Sequence, residues 1–208
     1  IPEEKLKVIH GGVDLERFHP CSPGVIKERY EINDYLLCVG EVRPYKNMEN
    51  VFRALKLWSD GPQIAISGKI FGDHKAKLEN LARSLNIENR VTWLGYVPDD
   101  LLPNLYSEAA AFIFPSLYEG FGLPILEAMA CGCPTLSSNM ASLPEIGGKA
   151  AHFFDPKEIG DMAEAIKKVC EDTVYRQKLA QDGPKHAKNF KWESSTKKHM
   201  DLFETVLN

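Results

Sequence analysis

The chain has 208 residues, enough for one large domain with a sizeable core. Its 44% of hydrophobic and 26% of charged residues are typical of globular proteins. A net charge of −4 argues against nucleic acid as the main partner, because phosphate backbones are bound by clustered lysines and arginines. No apolar run approaches the roughly 20 residues of a membrane span. The start, Ile1–Glu4, is typical neither of a signal peptide nor of a natural start, so we expect a longer protein.

Short apolar runs, predicted to be strands, alternate with stretches of helical periodicity. The predicted strands are Lys5–His10, Tyr35–Gly40, Gln63–Ser67, Arg90–Leu94, Ala110–Pro115, Pro134–Ser137 and Ala150–Phe154. The predicted helices are Met48–Trp58, Asp73–Leu85, Pro98–Ser107, Pro124–Ala130, Leu143–Ile146, Lys157–Glu171, Val174–Asn189 and Trp192–Val206. This alternation predicts an α/β fold with a doubly wound, Rossmann-like parallel sheet. Ligands of such sheets bind beyond the carboxyl ends of the strands.

Three parts are distinguished along the chain. Residues 1–30 contain a loop rich in Gly and Pro, Gly11–Pro23, and either join two domains or begin one. Residues 31–190 are predicted to form the Rossmann-like domain, and residues 191–208 a C-terminal helix. The five cysteines include no CxxC pair, and the spacing of Cys131 and Cys133 suits neither zinc nor a redox pair. We expect reduced, mostly buried thiols in a cytosolic protein.

The most informative stretch is Pro115–Pro134, which leaves a predicted strand and enters a helix with Pro124 at its first position. Two glycines allow a tight backbone path, and the helix N-terminus offers unpaired N–H groups to a phosphate. Glu119 on the loop can reach the same cleft. Glu127, placed in the first helical turn, can accept hydrogen bonds from paired hydroxyls. Each feature also has a structural explanation: acidic residues favour helix N-termini, and a Gly-x-Gly turn is often only a turn.

A second group of residues follows the first strand of the predicted sheet. Arg43 and Lys46 lie on that loop, where two cations can neutralise a diphosphate without a metal. Taken alone, they are better explained as solvated loop charges. Two weaker signals, Gly95–Pro98 and Ser67–Lys69, follow neighbouring strands and can form walls of a base pocket. The six histidines show no metal-ligand spacing, and His10 beside two glycines is the best candidate among them.

These motifs resemble a known family over nearly the whole chain. The stretch EGFGLPILE (Glu119–Glu127) resembles the E-x7-E signature of glycosyltransferase family four, the large retaining family of the two-Rossmann-domain (GT-B) type. Further stretches occur in the family's order: Val8–Pro20, Val39–Asn47, Arg90–Val97, Pro115–Pro134 and Ala141–Pro156. The E-x7-E stretch is specific and the others are supportive. The sequence is similar to bacterial and archaeal mannosyl- and hexosyltransferases of cell-surface polysaccharide assembly.

The resemblance implies a role for each candidate residue. Glu119 would hold donor-sugar hydroxyls and stabilise positive charge at the anomeric carbon, while Arg43 and Lys46 would hold the diphosphate. Glu127 would accept hydrogen bonds from the ribose hydroxyls. The other donor-binding positions are the backbone of Phe121, Gly122 and Leu123 for sugar and phosphates, the backbone of Tyr96 and Val97 for the base, and Gly68 for a pocket wall. No metal or cofactor is implied, and the donor substrate is a GDP- or UDP-hexose.

The chain departs from the family pattern at several places. Glu41 stands where many members carry an arginine, and Gly11 where asparagine is typical. The chain has no second sheet, so the acceptor-binding N-terminal domain is expected to be missing. Residues 1–30 then correspond to the interdomain segment, and Trp192–Val206 to the helix that crosses back to that domain. This helix and the Lys5–His10 run should therefore expose apolar surface.

The resemblance thus implies the donor-binding half of a retaining hexosyltransferase in polysaccharide biosynthesis. Such a half would bind donor and be nearly inactive in transfer, because its cleft is half built. The whole protein would be cytoplasmic, and peripheral association with the inner face of the membrane stays open. Two alternatives remain: a non-catalytic nucleotide-sugar-binding module, and a dinucleotide-binding dehydrogenase domain, although the latter lacks the GxGxxG fingerprint.

Overall fold

The computed structural model describes residues 1–70 and 72–207, which include a six-stranded, fully parallel sheet. The strands are β1 (Tyr35–Val39), β2 (Gln63–Ser67), β3 (Val91–Gly95), β4 (Ala111–Phe114), β5 (Thr135–Ser138) and β6 (Ala151–Phe154). Their spatial order is β3-β2-β1-β4-β5-β6. The predicted doubly wound, Rossmann-like fold is confirmed.

The helices are α1 (Val25–Tyr30), α2 (Met48–Lys56), α3 (His74–Ser84), α4 (Leu102–Ser107), α5 (Leu123–Ala130), α6 (Leu143–Gly147), α7 (Ile159–Glu171), α8 (Thr173–Ala187) and α9 (Trp192–Leu207). Single 3-10 turns cover Glu3–Lys5, Pro44–Lys46, Glu88–Arg90 and Gly148–Ala150. The predicted helices are present, and α4 begins four residues later than predicted. Helix α1 was not predicted. The predicted strand at Lys5–His10 is wrong, because residues 6–10 pair with no strand in the described parts of the chain.

The core has two halves, one on each face of the sheet. In β1, Tyr35 and Leu37 point into the half covered by α4, α5 and α6, whereas Leu36 and Cys38 point into the half covered by α2, α3 and α7. All four side chains are buried. Strands covered on both faces must be apolar throughout, which explains why the sequence shows continuous runs here and no alternation.

The strand order changes direction between β1 and β4, which lie side by side although β2 and β3 separate them in sequence. The loops that follow these two strands therefore leave the sheet at the same edge, on either side of a crevice. In doubly wound sheets this switch point is where ligands bind. The loop after β1 carries Arg43 and Lys46, and the loop after β4 carries Glu119.

The N-terminal segment packs on the Rossmann core. Val13, Phe18 and Ile26 are buried, and the backbone N–H of Val13 donates to the carbonyl of Phe190 at 3.0 Å. The carboxylate of Glu108 accepts hydrogen bonds from two backbone amides at the start of α1. The division of the chain at residues 30 and 190 stays a prediction.

Apolar side chains are exposed where the two ends of the chain meet, as expected. Leu6 and Val8 in the N-terminal run, and Phe203 and Val206 in α9, are all more than half exposed. Residues 5–9 and α9 line a groove of about 880 Å³. None of the helices in the described residues combines the length and the apolar character needed to cross a bilayer.

Candidate functional site

Lys46 and Glu119 form an ion pair at the switch point of the sheet. The Nζ of Lys46 lies 2.6 Å from Oε1 of Glu119, and the two side chains are only 12% and 17% exposed. Nζ also lies 4.5 Å from the centre of the Phe114 ring, a favourable cation–π distance. The loops are tied together by a hydrogen bond from the N–H of Leu117 to the carbonyl of Tyr45. Two residues 73 positions apart, which the sequence assigned to one site, are thus in contact.

The loop that carries Glu119 is fixed by its glycine and by Ser142. Gly122 has φ +105° and precedes α5, and a Cβ at this position would lie 2.8 Å from a methyl group of Leu143. The hydroxyl of Ser142 lies within donating distance of the carbonyls of Glu119 (3.0 Å) and Phe121 (3.2 Å). Sequence reasoning missed Ser142, because a serine directly before a helix is most simply interpreted as a helix cap.

Helix α5 begins at Leu123, directly after the Glu119 loop, with Pro124 at its second position. Glu127 is the fifth residue of this helix. The prediction that Glu127 lies in the first turn is wrong, because the helix starts one residue earlier than Pro124. A favourable interaction with the helix dipole therefore explains Glu127 less well, because the attraction between a carboxylate and the dipole fades beyond the first turn.

Glu127 is half-buried and hydrogen-bonded to a residue that the sequence did not single out. The hydroxyl of Tyr106, in α4, donates to its Oε2 at 2.9 Å. Burial raises the pKa of the Glu127 carboxyl above its ordinary value, while the hydrogen bond from Tyr106 and the nearby charge of Arg17 lower this pKa. Its pKa is raised overall, because desolvation is the largest effect.

Arg43 lies on the same loop as Lys46 but contacts a carboxylate of its own. Its Nε lies 2.6 Å from Oε2 of Glu41, and both side chains are about half exposed. Glu41, which stands where the family often has arginine, therefore offsets part of the Arg43 charge. A role of Arg43 at a diphosphate stays a prediction.

The loops after β2 and β3 lie beside the switch point. Gly68 has φ +133°, its N–H donates to the carbonyl of Gly95 at 2.7 Å, and its Cα approaches Gly40 so closely that a side chain would overlap with that residue's carbonyl oxygen. Gly68, Trp93 and Tyr96 line one open cavity. The Tyr96 side chain is 75% exposed.

The remaining predicted positions differ in their surroundings. Val97 is 2% exposed and belongs to the core, so only its backbone is available to a ligand. Leu123 is exposed. The Phe121 ring packs partly against the core, with its centre 6.1 Å from that of the His10 ring. His10 is itself 2.7 Å from a carboxylate oxygen of Glu145 and so ties the N-terminal segment to α6.

A comparison of the sequence with protein families matches one family over most of the chain. The family model described as glycosyl transferases group 1 matches residues 26–186. The chain belongs to the group 1 glycosyltransferases. This group 1 domain is 35% identical, over 89% of its length, to O-antigen chain mannosyltransferase B of Escherichia coli, and covers 50% of that protein.

Solved structures of similar fold show how much of a glycosyltransferase the chain represents. HepE of Anabaena, solved in complex with UDP-glucose, superposes with a TM-score of 0.87 at 23% identity over 98% of this chain and 58% of HepE. The C-terminal domain of a group 1 glycosyltransferase of Francisella tularensis (LpcC) superposes with a TM-score of 0.74 at 22% identity. That match covers 86% of this chain and 97% of the LpcC domain. In fold the chain therefore resembles the C-terminal domain of the Francisella tularensis protein, and it spans about half the length of its relative in Escherichia coli.

Proposed function

We propose that this group 1 domain is the donor-binding half of a retaining glycosyltransferase. The enzyme would move a hexose, mannose or a similar sugar, from a UDP- or GDP-sugar to a saccharide or lipid-linked acceptor in polysaccharide biosynthesis. The observation that carries the proposal is the contact between Lys46 and Glu119 at the switch point, beside the N-terminus of the helix that carries Glu127. The mannosyltransferase name of the relative in Escherichia coli and the UDP-glucose bound by HepE support it.

The charges at this site suit the departure of a nucleoside diphosphate. Lys46 supplies a fixed positive charge with little exposure, and the positive end of the α5 helix dipole supplies a partial one. Arg43 adds a third if it leaves Glu41. Together they stabilise the negative charge that develops on the leaving diphosphate, so the proposed reaction requires no metal.

Glu119 completes the site on the sugar side. Its carboxylate is held by Lys46 and would accept hydrogen bonds from hydroxyls of the donor hexose. Negative charge there also stabilises the positive charge that develops at the anomeric carbon, because glycosyl transfer has a transition state of oxocarbenium character. The Glu119 loop is rigid enough for this task, since Ser142 and Gly122 fix its backbone.

The acceptor would be bound by a second, N-terminal domain of the full-length protein. The groove between residues 5–9 and α9 leaves apolar side chains exposed, which is the surface that such a domain would cover. We expect the isolated chain to bind donor and to be nearly inactive in transfer. We place the whole protein in the cytoplasm, with peripheral association at the membrane where lipid-linked acceptors are found.

Calorimetric titration tests the proposal. The chain is titrated with UDP, GDP, ADP and NADH without added metal, and the titrations are repeated on Lys46→Ala and Glu127→Ala. Lys77→Ala is the control, because Lys77 is an exposed lysine of α3 paired with Asp73. We expect one nucleoside diphosphate to bind, with weaker binding in the first two variants and unchanged binding in the control. Binding of NADH alone, or equal binding by all variants, would overturn the proposal.

A further inference from the structure

Tyr106 holds one oxygen of the Glu127 carboxylate. Its hydroxyl donates to Oε2 at 2.9 Å, and the two residues lie on neighbouring short helices, α4 and α5, on the same face of the sheet. Oε1 of Glu127 accepts no hydrogen bond from any residue in the described ranges 1–70 and 72–207. One carboxylate oxygen is thus fixed by the protein and the other is available.

The Tyr106 side chain is rigid. It is fully buried, and its ring meets the ring of Phe112 edge to face, with centres 5.4 Å apart. The ring of Phe18, from the N-terminal segment, packs on it in the same manner at 6.2 Å. Aromatic rings packed in this way have little freedom to reorient, so the hydroxyl points in one direction.

The hydroxyl is also a permanent donor. Burial and the adjacent Glu127 carboxylate hold the pKa of Tyr106 well above its ordinary value, so the phenol keeps its proton. A neutral donor of this kind stabilises the ionised carboxylate, whose pKa is otherwise raised by burial. Arg17 stabilises the ionised form from the N-terminal segment, although Asp99 opposes it.

We propose that Tyr106 is a positioning residue that holds Glu127 ionised and oriented so that Oε1 accepts hydrogen bonds from the ribose hydroxyls of the donor. Tyr106 thereby determines the preference of the site for ribonucleotides over nucleotides without those hydroxyls. The inference rests on the proposed function, because it assigns ribose binding to Glu127. Tyr106 itself does not touch the donor.

A purely structural role predicts something different, and the chain contains the control that separates the two. Tyr35 is also fully buried in the same half of the core, and its hydroxyl donates to the carbonyl of Leu105 at 2.8 Å. Tyr35→Phe therefore removes a comparable buried hydrogen bond, whose acceptor Leu105 is the residue before Tyr106. It does not remove a partner of Glu127.

The experiment measures the dissociation constants of UDP, GDP and ADP and of their 2′,3′-dideoxy counterparts for the unchanged chain and three variants. The variants are Tyr106→Phe, Tyr35→Phe and Glu127→Gln. We expect the unchanged chain to prefer the ribonucleotide by about tenfold or more, the size of effect that hydrogen bonds to a charged group produce. Tyr106→Phe and Glu127→Gln should remove most of this preference by weakening binding of the ribonucleotide only. Tyr35→Phe should keep it.

The outcomes separate the inference from the proposed function. If no nucleoside diphosphate binds, the proposed function fails and the inference with it. If the ribonucleotide binds and Tyr106→Phe keeps the preference, or weakens both forms equally, the positioning role is overturned while donor binding stands. Thermal unfolding of each variant identifies a loss of fold. If Tyr106→Phe does not fold, the Glu127→Gln variant decides the question through its ratio of dissociation constants for the two nucleotide forms. An unchanged preference for the ribonucleotide in that variant would show that Glu127 does not bind the ribose, which overturns the inference.

Discussion

The ammonium group of Lys46 and the carboxylate of Glu119 are 2.6 Å apart and largely shielded from water. Neither charge is exposed enough to be fully solvated, so each depends on the other. The pair also occupies the place where the proposed diphosphate and sugar would meet. In the proposed complex, the donor would therefore replace part of this contact, with the phosphate facing Lys46 and sugar hydroxyls facing Glu119.

Breaking the pair from one side should destabilise the fold more than removing both charges. We expect Lys46→Met to lower the free energy of unfolding by about 1–3 kcal/mol, because it leaves Glu119 as an uncompensated, mostly buried charge. The double variant Lys46→Met/Glu119→Gln should recover most of that loss. Urea denaturation measures all three proteins.

The exposed pair of Lys77 and Asp73 in the region of α3 is the control. Lys77→Met should leave the free energy of unfolding unchanged within error, since exposed ion pairs contribute little. Equal effects of Lys46→Met and Lys77→Met would show that the shielding of the Lys46–Glu119 pair has no energetic consequence.

Gly68 is expected to tolerate no side chain. Its φ of +133° is unfavourable for other residues, and an added methyl group would overlap with the carbonyl oxygen of Gly40. Gly24 has a similar φ, +120°, but, apart from its chain neighbours, no described residue has an atom within 4 Å of the position of its Cβ. Gly24→Ala therefore reports backbone strain alone. We expect Gly68→Ala to be less stable than Gly24→Ala by at least about 2 kcal/mol in urea denaturation. Equal losses would mean that the loops after β1 and β2 can separate.

The sequence predicted the sheet well because its signal is local. Continuous apolar runs, ended by Gly, Pro or Ser, set the strands β1 to β6 to within a residue or so. The strand predicted at Lys5–His10 had the same local pattern, but a strand also requires a neighbour, and this run lies at the chain end without one in the described residues. Helix α1 was missed for the opposite reason, because it is held by a distant residue: the carboxylate of Glu108, 82 positions away, accepts a hydrogen bond from the backbone amide of Ile26.

The site was predictable only in part. The motifs identified Lys46 and Glu119, and the strand order explains why their loops meet. Ser142, which holds the Glu119 loop, and Tyr106, which holds Glu127, lie 21 or more positions from the residues that they contact. No periodicity reports such pairs, because they depend on the packing of α4, α5 and α6 on one face of the sheet.

Cys21 is expected to be the fast-reacting thiol. All five cysteines are free, as predicted, and Cys38, Cys131 and Cys133 are buried. Burial raises the pKa of Cys38 and Cys131 to about 12, and that of the half-buried Cys170 to about 11. Since the thiolate is the reactive form, these groups should react slowly at about pH 8.

A thiol reagent should label one cysteine rapidly in the native protein and five after unfolding. The rapid phase should be absent in a Cys21→Ser variant, and its persistence there would contradict the prediction.

The raised pKa of Glu127 predicts how stability depends on pH. In the unfolded chain this carboxyl ionises near its ordinary value of 4.5, whereas in the folded protein burial keeps the proton on to higher pH. Between the pKa of Glu127 in the unfolded chain and its higher pKa in the folded protein, the folded state binds more protons. The contribution of Glu127 to the free energy of unfolding therefore falls as the pH rises through this range. Glu127→Gln removes this titration, so its free energy of unfolding relative to the unchanged chain should rise as the pH is raised above about 4.5. Tyr106→Phe should act in the opposite sense, because it removes a hydrogen bond that lowers the pKa of Glu127 and so extends the decline to higher pH. Urea denaturation at several pH values measures both differences. A constant difference between Glu127→Gln and the unchanged chain would show that Glu127 titrates alike in the folded and unfolded states.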